Sequence, residues 1–155
     1  LQSGGNVRRS DAVAKAHAHG QLGTEKPLRI LMAEDNRINQ KVARLVLKQL
    51  SYQIDIANDG LEALEMLERR DYDVVLMDVQ MPRMDGYEAT REICKRLPPE
   101  RRPYVIALTA NAMQGDRERA IASGMHDYVS KPIRPETVGQ ALEKAYQLAT
   151  ARGNN

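Results

Sequence analysis

Five short apolar segments recur along the chain from Leu28, and each is followed by a longer segment with helical spacing of apolar residues. The apolar segments cover residues 28–33, 53–57, 73–77, 103–108 and 127–129, and their starts are 20 to 30 residues apart. This spacing leaves room for one helix and two short loops between successive strands. Strict alternation of strands and helices predicts parallel pairing with right-handed crossovers. We therefore predict an α/β fold, a doubly wound five-stranded parallel sheet with helices on both faces.

The segments between the strands carry apolar residues on helical stripes, which we expect to face the core. Asn36, Asp59 and Asn111 stand where helix N-caps are expected, and Gly124 where a helix should end. The stripes are Ile38, Val42, Leu45, Val46 and Leu50; Leu61, Leu64 and Leu67; and Val138, Leu142, Ala145 and Ala149.

Domain boundaries follow from composition. Residues 1–27 lack periodic apolar spacing and are rich in Gly, Ser, Ala and His, which predicts a flexible linker or tag. Residues 28–150 form the expected domain, and residues 151–155 a C-terminal tail. No apolar run approaches the roughly 20 residues that span a bilayer, and no hydrophobic signal segment is present. We expect a cytoplasmic domain without direct membrane contact, whose parent protein could be membrane-anchored.

The charge of the chain gives no sign of nucleic-acid binding. Residues 1–27 carry four basic and two acidic side chains, so the remainder, with 19 of each, is neutral. The chain also has no Trp or Phe to stack on bases. With neither a basic surface nor these aromatic side chains, we expect no nucleic-acid partner.

Chemically reactive residues follow the predicted strands. Glu34 and Asp35 follow the first strand, Asp78 the third, Thr109 the fourth and Lys131 the fifth. Ligands of such sheets bind beyond the carboxyl ends of the strands, so we expect these five side chains on one edge. Each residue alone is explained by an ordinary turn or strand end, and it is their joint placement that indicates a site.

Phosphoryl transfer is the chemistry that suits this set. Three neighbouring carboxylates repel one another unless a cation compensates them, and Mg²⁺ takes one or two carboxylates while leaving positions for phosphate oxygens. Lys131 adds a charge that a metal site does not require, and Thr109 adds a hydroxyl donor. Asp78 is then the nucleophile. After it, Pro82 and Gly86 predict a shaped loop, with Gly86 in a backbone conformation closed to other residues.

Four motifs carry a resemblance to a known family. They are ILMAEDN at 30–36, VVLMDVQMPRMDGYEATREI at 74–93, VIALTANAM at 105–113 and GMHDYVSKPI at 124–133. Over about residues 28–150 the sequence resembles the response-regulator receiver domains of two-component phosphorelays, which have a flavodoxin-like (βα)5 fold. The resemblance implies that Asp78 accepts a phosphoryl group from a phosphohistidine.

The same resemblance assigns the neighbouring residues. Glu34, Asp35, Asp78 and the backbone carbonyl of Gln80 would hold Mg²⁺, for which Mn²⁺ could substitute. Thr109 and Lys131 would contact the phosphoryl group, and the peptide bond before Pro132 would be cis. Thr109 and Tyr128 would form the switch that alters the surface around the fifth strand, although a half-exposed structural tyrosine explains Tyr128 equally well. Gln80, Ala110 and Asn111 would tune hydrolysis of the acyl phosphate.

The resemblance also predicts the partners. They are a histidine kinase or a histidine phosphotransfer protein, docked at Ile38, Pro132 and Ile133, with core packing an equal alternative for Ile38. The residues of the motifs resemble most the C-terminal receiver of a hybrid histidine kinase, and such a receiver would pass its signal on through protein contacts. A stand-alone single-domain regulator and a phosphorylation-controlled protein-binding module are alternatives. We expect a monomer or weak dimer that phosphorylates itself from small donors and dephosphorylates slowly.

A Mg²⁺-dependent phosphatase of the haloacid dehalogenase type is a competing hypothesis from another class. It also uses an aspartate at the end of a parallel strand. That family has a second acid two residues after the nucleophile, and here the position is Gln80. The sequence therefore argues against this alternative.

Overall fold

A computed structural model describes the backbone of residues 21–110 and 114–153. Its centre is a five-stranded sheet in the order β2-β1-β3-β4-β5, and every pairing is parallel. This confirms the predicted doubly wound sheet. The order reverses between β1 and β3, the point at which such sheets bind ligands. The strands are β1 (Ile30–Ala33), β2 (Ile54–Ala57), β3 (Val74–Asp78), β4 (Tyr104–Thr109) and β5 (Asp127–Ser130).

Helices cover both faces of the sheet. Ile30 and Met32 of β1 pack under α1 and α5, whereas Leu31 and Ala33 pack under α2, α3 and α4. Successive strand residues point to opposite faces, so one strand serves two cores. The helices are α1 (Arg37–Gln49), α2 (Gly60–Arg69), α3 (Gly86–Arg96), α4 (Gln114–Ser123) and α5 (Pro135–Gly153), with a helical turn at Leu22–Glu25 and a 3-10 turn at Pro99–Arg101.

The predicted core stripe of α1 is partly wrong. Ile38 is 72% exposed and Leu45 63%, and the buried face consists instead of Ala43, Val46 and Leu47. Both faces of this helix carry apolar residues, so the spacing alone fits either orientation. The stripes of α2 and α5 are closer to expectation. Their exceptions are half-buried Leu61 and exposed Ala149.

Two of the predicted N-caps and the predicted helix end are confirmed. The Asn36 side chain accepts hydrogen bonds from the backbone N–H groups of Ile38 and Asn39, and the Asp59 side chain accepts one from Glu62. Gly124 follows α4 with a φ of 104°, a conformation that favours glycine. Asn111 lies outside the described residues.

The linker prediction for residues 1–27 does not hold at its C-terminal end. Leu22 is 6% exposed and belongs to the core beneath α1 and α5. The backbone N–H of Gly23 donates to the Leu50 carbonyl at 2.7 Å, and Lys26 forms an ion pair with Glu143 of α5 at 3.2 Å. Residues 21–27 therefore belong to the folded unit, although composition assigned them to the linker.

The C-terminal boundary also differs from the prediction. Helix α5 continues to Gly153, three residues into the expected tail. Neither α5 nor any other described helix is both long and apolar enough to cross a membrane.

Candidate functional site

The carboxyl ends of the central strands meet at one edge of the sheet. Asp78 is the last residue of β3 and pairs with Leu108 of β4, and Thr109 pairs with Ser130 of β5. Lys131 follows β5 directly, and its backbone N–H donates to the Thr109 carbonyl at 2.7 Å. The parallel register thus brings these residues from three strands to one place.

Three carboxylates form a cluster at this edge. Glu34, Asp35 and Asp78 each offer an oxygen, and these oxygens lie within 4.8 Å of one another. Glu34 and Asp78 are buried, whereas Asp35 is exposed. Three carboxylate oxygens are suitable ligands for Mg²⁺, which completes its coordination shell with water molecules. The residues present therefore fit a divalent metal.

Lys131 compensates the two buried acids of the cluster. Its ammonium group lies 3.0 Å from Oε1 of Glu34 and 2.9 Å from Oδ2 of Asp78. Burial alone would lower the pKa of Lys131, but the hydrogen bonds to Asp78 and Glu34 outweigh burial, so its pKa is raised. Lys131 is thus held positively charged. The bond from Lys131 to Pro132 is cis, the conformation expected from the sequence.

The loop after β3 fixes the position of Asp78. The backbone N–H of Gln80 donates to Oδ1 of Asp78 at 3.1 Å, and that of Gly86 donates to the Val79 carbonyl at 3.2 Å. A Cβ at residue 86 would collide with the carbonyl oxygen of Asp78. Close approach, not an unusual backbone angle, therefore requires glycine here. The left-handed residue of the loop is Arg83, with a φ of 65°.

Arg83 joins this loop to the β2–α2 connection. Its Nε donates to Oδ2 of Asp59 at 2.6 Å, and Asp59 is only 5% exposed. Burial acts to raise the pKa of Asp59, but hydrogen bonds from the Glu62 backbone and from Arg83 outweigh it, and the pKa is lowered. The ion pair therefore braces the loop that follows Asp78.

Thr109, the last residue of β4, is buried with an unsatisfied hydroxyl. Its side chain is 1% exposed, and Oγ1 has no hydrogen-bond partner among the described residues. An orphaned hydroxyl in a buried position costs free energy unless a ligand or a movement satisfies it. A phosphoryl oxygen beside Asp78 is a suitable acceptor.

Tyr128 is the second residue of β5. It is half-buried against the core of α2, α3 and α4, and the Arg117 guanidinium carbon lies 5.6 Å from its ring centroid. This arrangement fits either a switch residue or a structural tyrosine, so the role predicted for Tyr128 stays a prediction.

The cluster opens into a cleft of about 830 Å³. The exposed residues Gln80 and Ala110 line it, so water and a small donor can reach Asp78. Asn111, the third residue predicted to tune hydrolysis, lies outside the described residues. Among the cleft residues absent from the predicted site are Tyr87, Asp116 and Arg119. They come from α3 and α4, so inspection of the strand ends could not find them.

The predicted docking residues divide into two groups. Ile38 and Pro132 are exposed, so core packing is wrong for Ile38. Ile133 is 8% exposed and packs into the core of α1 and α5, but it also lines a small pocket with Val42 and Pro132, so its docking role stays a prediction. Ile38 instead has exposed apolar neighbours on its own helix, Val42 and Leu45.

Comparisons with known proteins place this geometry in context. Residues 30–143 match the family described as "Response regulator receiver domain". Histidine protein kinase 1 of Candida albicans is 42% identical over 132 residues, covering 79% of this chain and 5% of that protein. The aerobic respiration control sensor protein ArcB of Escherichia coli is 40% identical over 117 residues, covering 76% and 15% respectively. The chain thus spans a small part of each of these relatives.

A solved structure gives the same comparison in three dimensions. It is the receiver domain of a sensor histidine kinase from Pseudomonas aeruginosa, with a magnesium ion coordinated in the active site cleft. It is 42% identical, has a TM-score of 0.70, and the match covers 77% of this chain and 98% of that one. A receiver of the response regulator Ssk1, solved with the phosphotransfer protein Ypd1 of Saccharomyces cerevisiae, is 25% identical. Its TM-score is 0.70, with coverage of 78% and 90%.

Proposed function

The chain belongs to the response regulator receiver domain family, and from this premise we propose that Asp78 accepts a phosphoryl group from a phosphohistidine. In this step an oxygen of Asp78 bonds to phosphorus while the phosphorus–nitrogen bond of the donor breaks. The departing imidazole keeps the electron pair and takes up a proton. The contact of Lys131 with Asp78 and Glu34 is the observation that carries the proposal.

Each neighbouring residue then has a defined task. Glu34, Asp35, Asp78 and the Gln80 carbonyl hold Mg²⁺, or Mn²⁺ in its place, which when bound supplies positive charge to the phosphoryl oxygens. Lys131 leaves Asp78 and binds a phosphoryl oxygen, and Thr109 donates its free hydroxyl to another. The magnesium in the Pseudomonas receiver supports this metal assignment.

Phosphorylation then changes the surface of the domain. When Thr109 turns toward the phosphoryl group, Tyr128 turns inward, and the surface of α4, β5 and α5 is altered. Gln80, Ala110 and Asn111 set the rate at which water hydrolyses the acyl phosphate. The acyl phosphate hydrolyses slowly, and the chain returns to its initial state.

The partner is a histidine kinase or a histidine phosphotransfer protein. An apolar surface for a partner helix is offered by three exposed residues of α1, Ile38, Val42 and Leu45. Pro132, which directly follows Lys131, is also exposed and contributes to it. The Saccharomyces complex of a related receiver supports a phosphotransfer partner. We also propose that the chain lies in the cytoplasmic part of a hybrid histidine kinase and acts as a monomer or weak dimer. Its match to a small part of two much longer kinase and sensor proteins supports the kinase context.

Phosphorylation of Asp78 can be tested directly. The protein is incubated with Mg²⁺ and acetyl phosphate, and intact mass spectrometry should detect one added phosphoryl group. Asp78→Asn should abolish it. Asp71→Asn, which changes an exposed acid in the segment before β3, should not. Labelling that survives Asp78→Asn would remove the assignment, and repeated turnover of a phosphomonoester would favour the phosphatase alternative.

A further inference from the structure

Arg119 of α4 reaches the same cleft as Asp78. Its guanidinium carbon lies 4.6 Å from the ring centroid of Tyr87, the second residue of α3, and both side chains line the cleft. A guanidinium over an aromatic face is held there by the ring quadrupole. Tyr87 is 6% exposed, so it forms a fixed platform for this cation.

The two cations of the cleft differ in what they already bind. Lys131 contacts Glu34 and Asp78, whereas Arg119 has no carboxylate partner in the part of the chain that the structure describes. A guanidinium donates hydrogen bonds in its own plane, so contact with Tyr87 through the flat face leaves its donors available. Arg119 therefore has unused capacity for an oxyanion.

An incoming phosphoryl group meets an acidic cleft. Besides the three acids of the metal cluster, Asp85 and Asp116 line it. These carboxylates repel a phosphodonor that carries negative charge. The charge of Lys131 is already opposed by two buried acids. A further cation in the cleft would raise the local concentration of the donor.

We propose that Arg119 binds the phosphoryl oxygens of the incoming donor and so sets the affinity of the cleft for phosphodonors. This inference rests on the proposed function, since it needs Asp78 as acceptor. It assigns Arg119 to donor binding, not to the bond-making step, and Tyr87 to positioning Arg119. The phosphoryl dianion is common to a small donor and to a phosphohistidine.

The test measures initial rates of Asp78 phosphorylation against donor concentration, with acetyl phosphate and with phosphoimidazole as the histidine-like donor. At low ionic strength Arg119→Gln should raise the half-saturating concentration of both about fivefold and leave the maximal rate unchanged. Added salt should shrink the difference. Arg69→Gln, an equal charge change at an exposed position of α2, should leave the rates unchanged. An effect on acetyl phosphate alone would overturn the proposal, because the phosphoryl group is what the two donors share.

Other outcomes separate the two proposals. If the unaltered protein is phosphorylated on Asp78 but Arg119→Gln behaves like Arg69→Gln, the inference fails and the proposed function stands. If the unaltered protein is not phosphorylated, the proposed function itself fails. Arg119→Lys keeps the charge and should retain most of the affinity at low salt. An Arg119→Lys variant as weak as Arg119→Gln would overturn the charge-based role.

Discussion

The ammonium group of Lys131 lies 2.9 Å from Oδ2 of Asp78, although Asp78 ends β3, Lys131 follows β5, and β4 lies between these two strands. The same ammonium group contacts Glu34 at 3.0 Å. One lysine therefore compensates the two buried carboxylates of the site. Stability and reactivity of this edge of the sheet consequently depend on the same side chain.

Replacement of Lys131 should destabilise the protein. Lys131→Met keeps the length of the side chain but leaves Glu34 and Asp78 buried without their cation, at a cost of about 3 kcal/mol in the free energy of unfolding. Urea unfolding in metal-free buffer at neutral pH measures it. Lys48→Met, at an exposed position of α1, is the control. Equal stability of the two variants would contradict the compensating role of Lys131.

Removal of one acid should weaken metal binding. Asp35→Asn takes one charge from the cluster, and a divalent ion loses about 2 kcal/mol of attraction, or about thirtyfold in affinity, in a water-like dielectric. Isothermal titration with Mg²⁺ measures the change. Asp116→Asn, in the same cleft but outside the three-acid cluster, should have a much smaller effect. Similar losses in both variants would show that Asp35 is not a ligand.

Addition of one methyl group at residue 86 should displace Asp78. In Gly86→Ala the new Cβ collides with the Asp78 carbonyl, so we expect a loss of about 1–3 kcal/mol in unfolding free energy and slower phosphorylation. Gly115→Ala is the matched control, because a Cβ at residue 115 meets no atom within 4 Å. An unchanged phosphorylation rate in Gly86→Ala would refute the proposed constraint on Asp78.

The turn at Leu22–Glu25 should detach when residue 23 gains a side chain. A Cβ on Gly23 collides with the Ser51 carbonyl, whereas one on Gly139 meets Leu22 at an ordinary 3.7 Å. Gly23→Ala should therefore release Leu22 and cost up to about 3 kcal/mol of burial free energy. Heteronuclear NOE values for residues 21–26 should fall in Gly23→Ala but not in Gly139→Ala. Unchanged values would mean that the turn tolerates the methyl group.

The ion pair between Asp59 and Arg83 should make stability depend on pH. The pKa of Asp59 is lowered from 3.8 in the folded protein, so its contribution is complete above that value and is lost as the pH falls through the folded-state pKa. The difference in unfolding free energy between the unaltered protein and Arg83→Gln should be constant above about pH 5 and shrink in acid. Asp59→Asn should remove this pH dependence. A difference that persists undiminished in acid would argue against the pair.

The sequence by itself determined the architecture and the main part of the site. Strands buried on both faces must be apolar throughout, so a carboxylate such as Asp78 marks the strand end, and parallel strands bring their carboxyl ends to one edge. Asp78, Thr109 and Lys131 could therefore be assigned to one edge before any contact was known. Asn36 and Gly124 were likewise predictable, because helix ends depend on local residues.

Only the tertiary structure decided which of several possible neighbours meet. The stripe of α1 has apolar residues on two faces, and packing alone exposes Ile38. The glycine at residue 86 is required by the approach of the Asp78 carbonyl, and Arg119 meets Tyr87 because α4 packs beside α3. Periodicity fixes the angle between side chains of one helix, but not the distance between helices that are far apart in the chain.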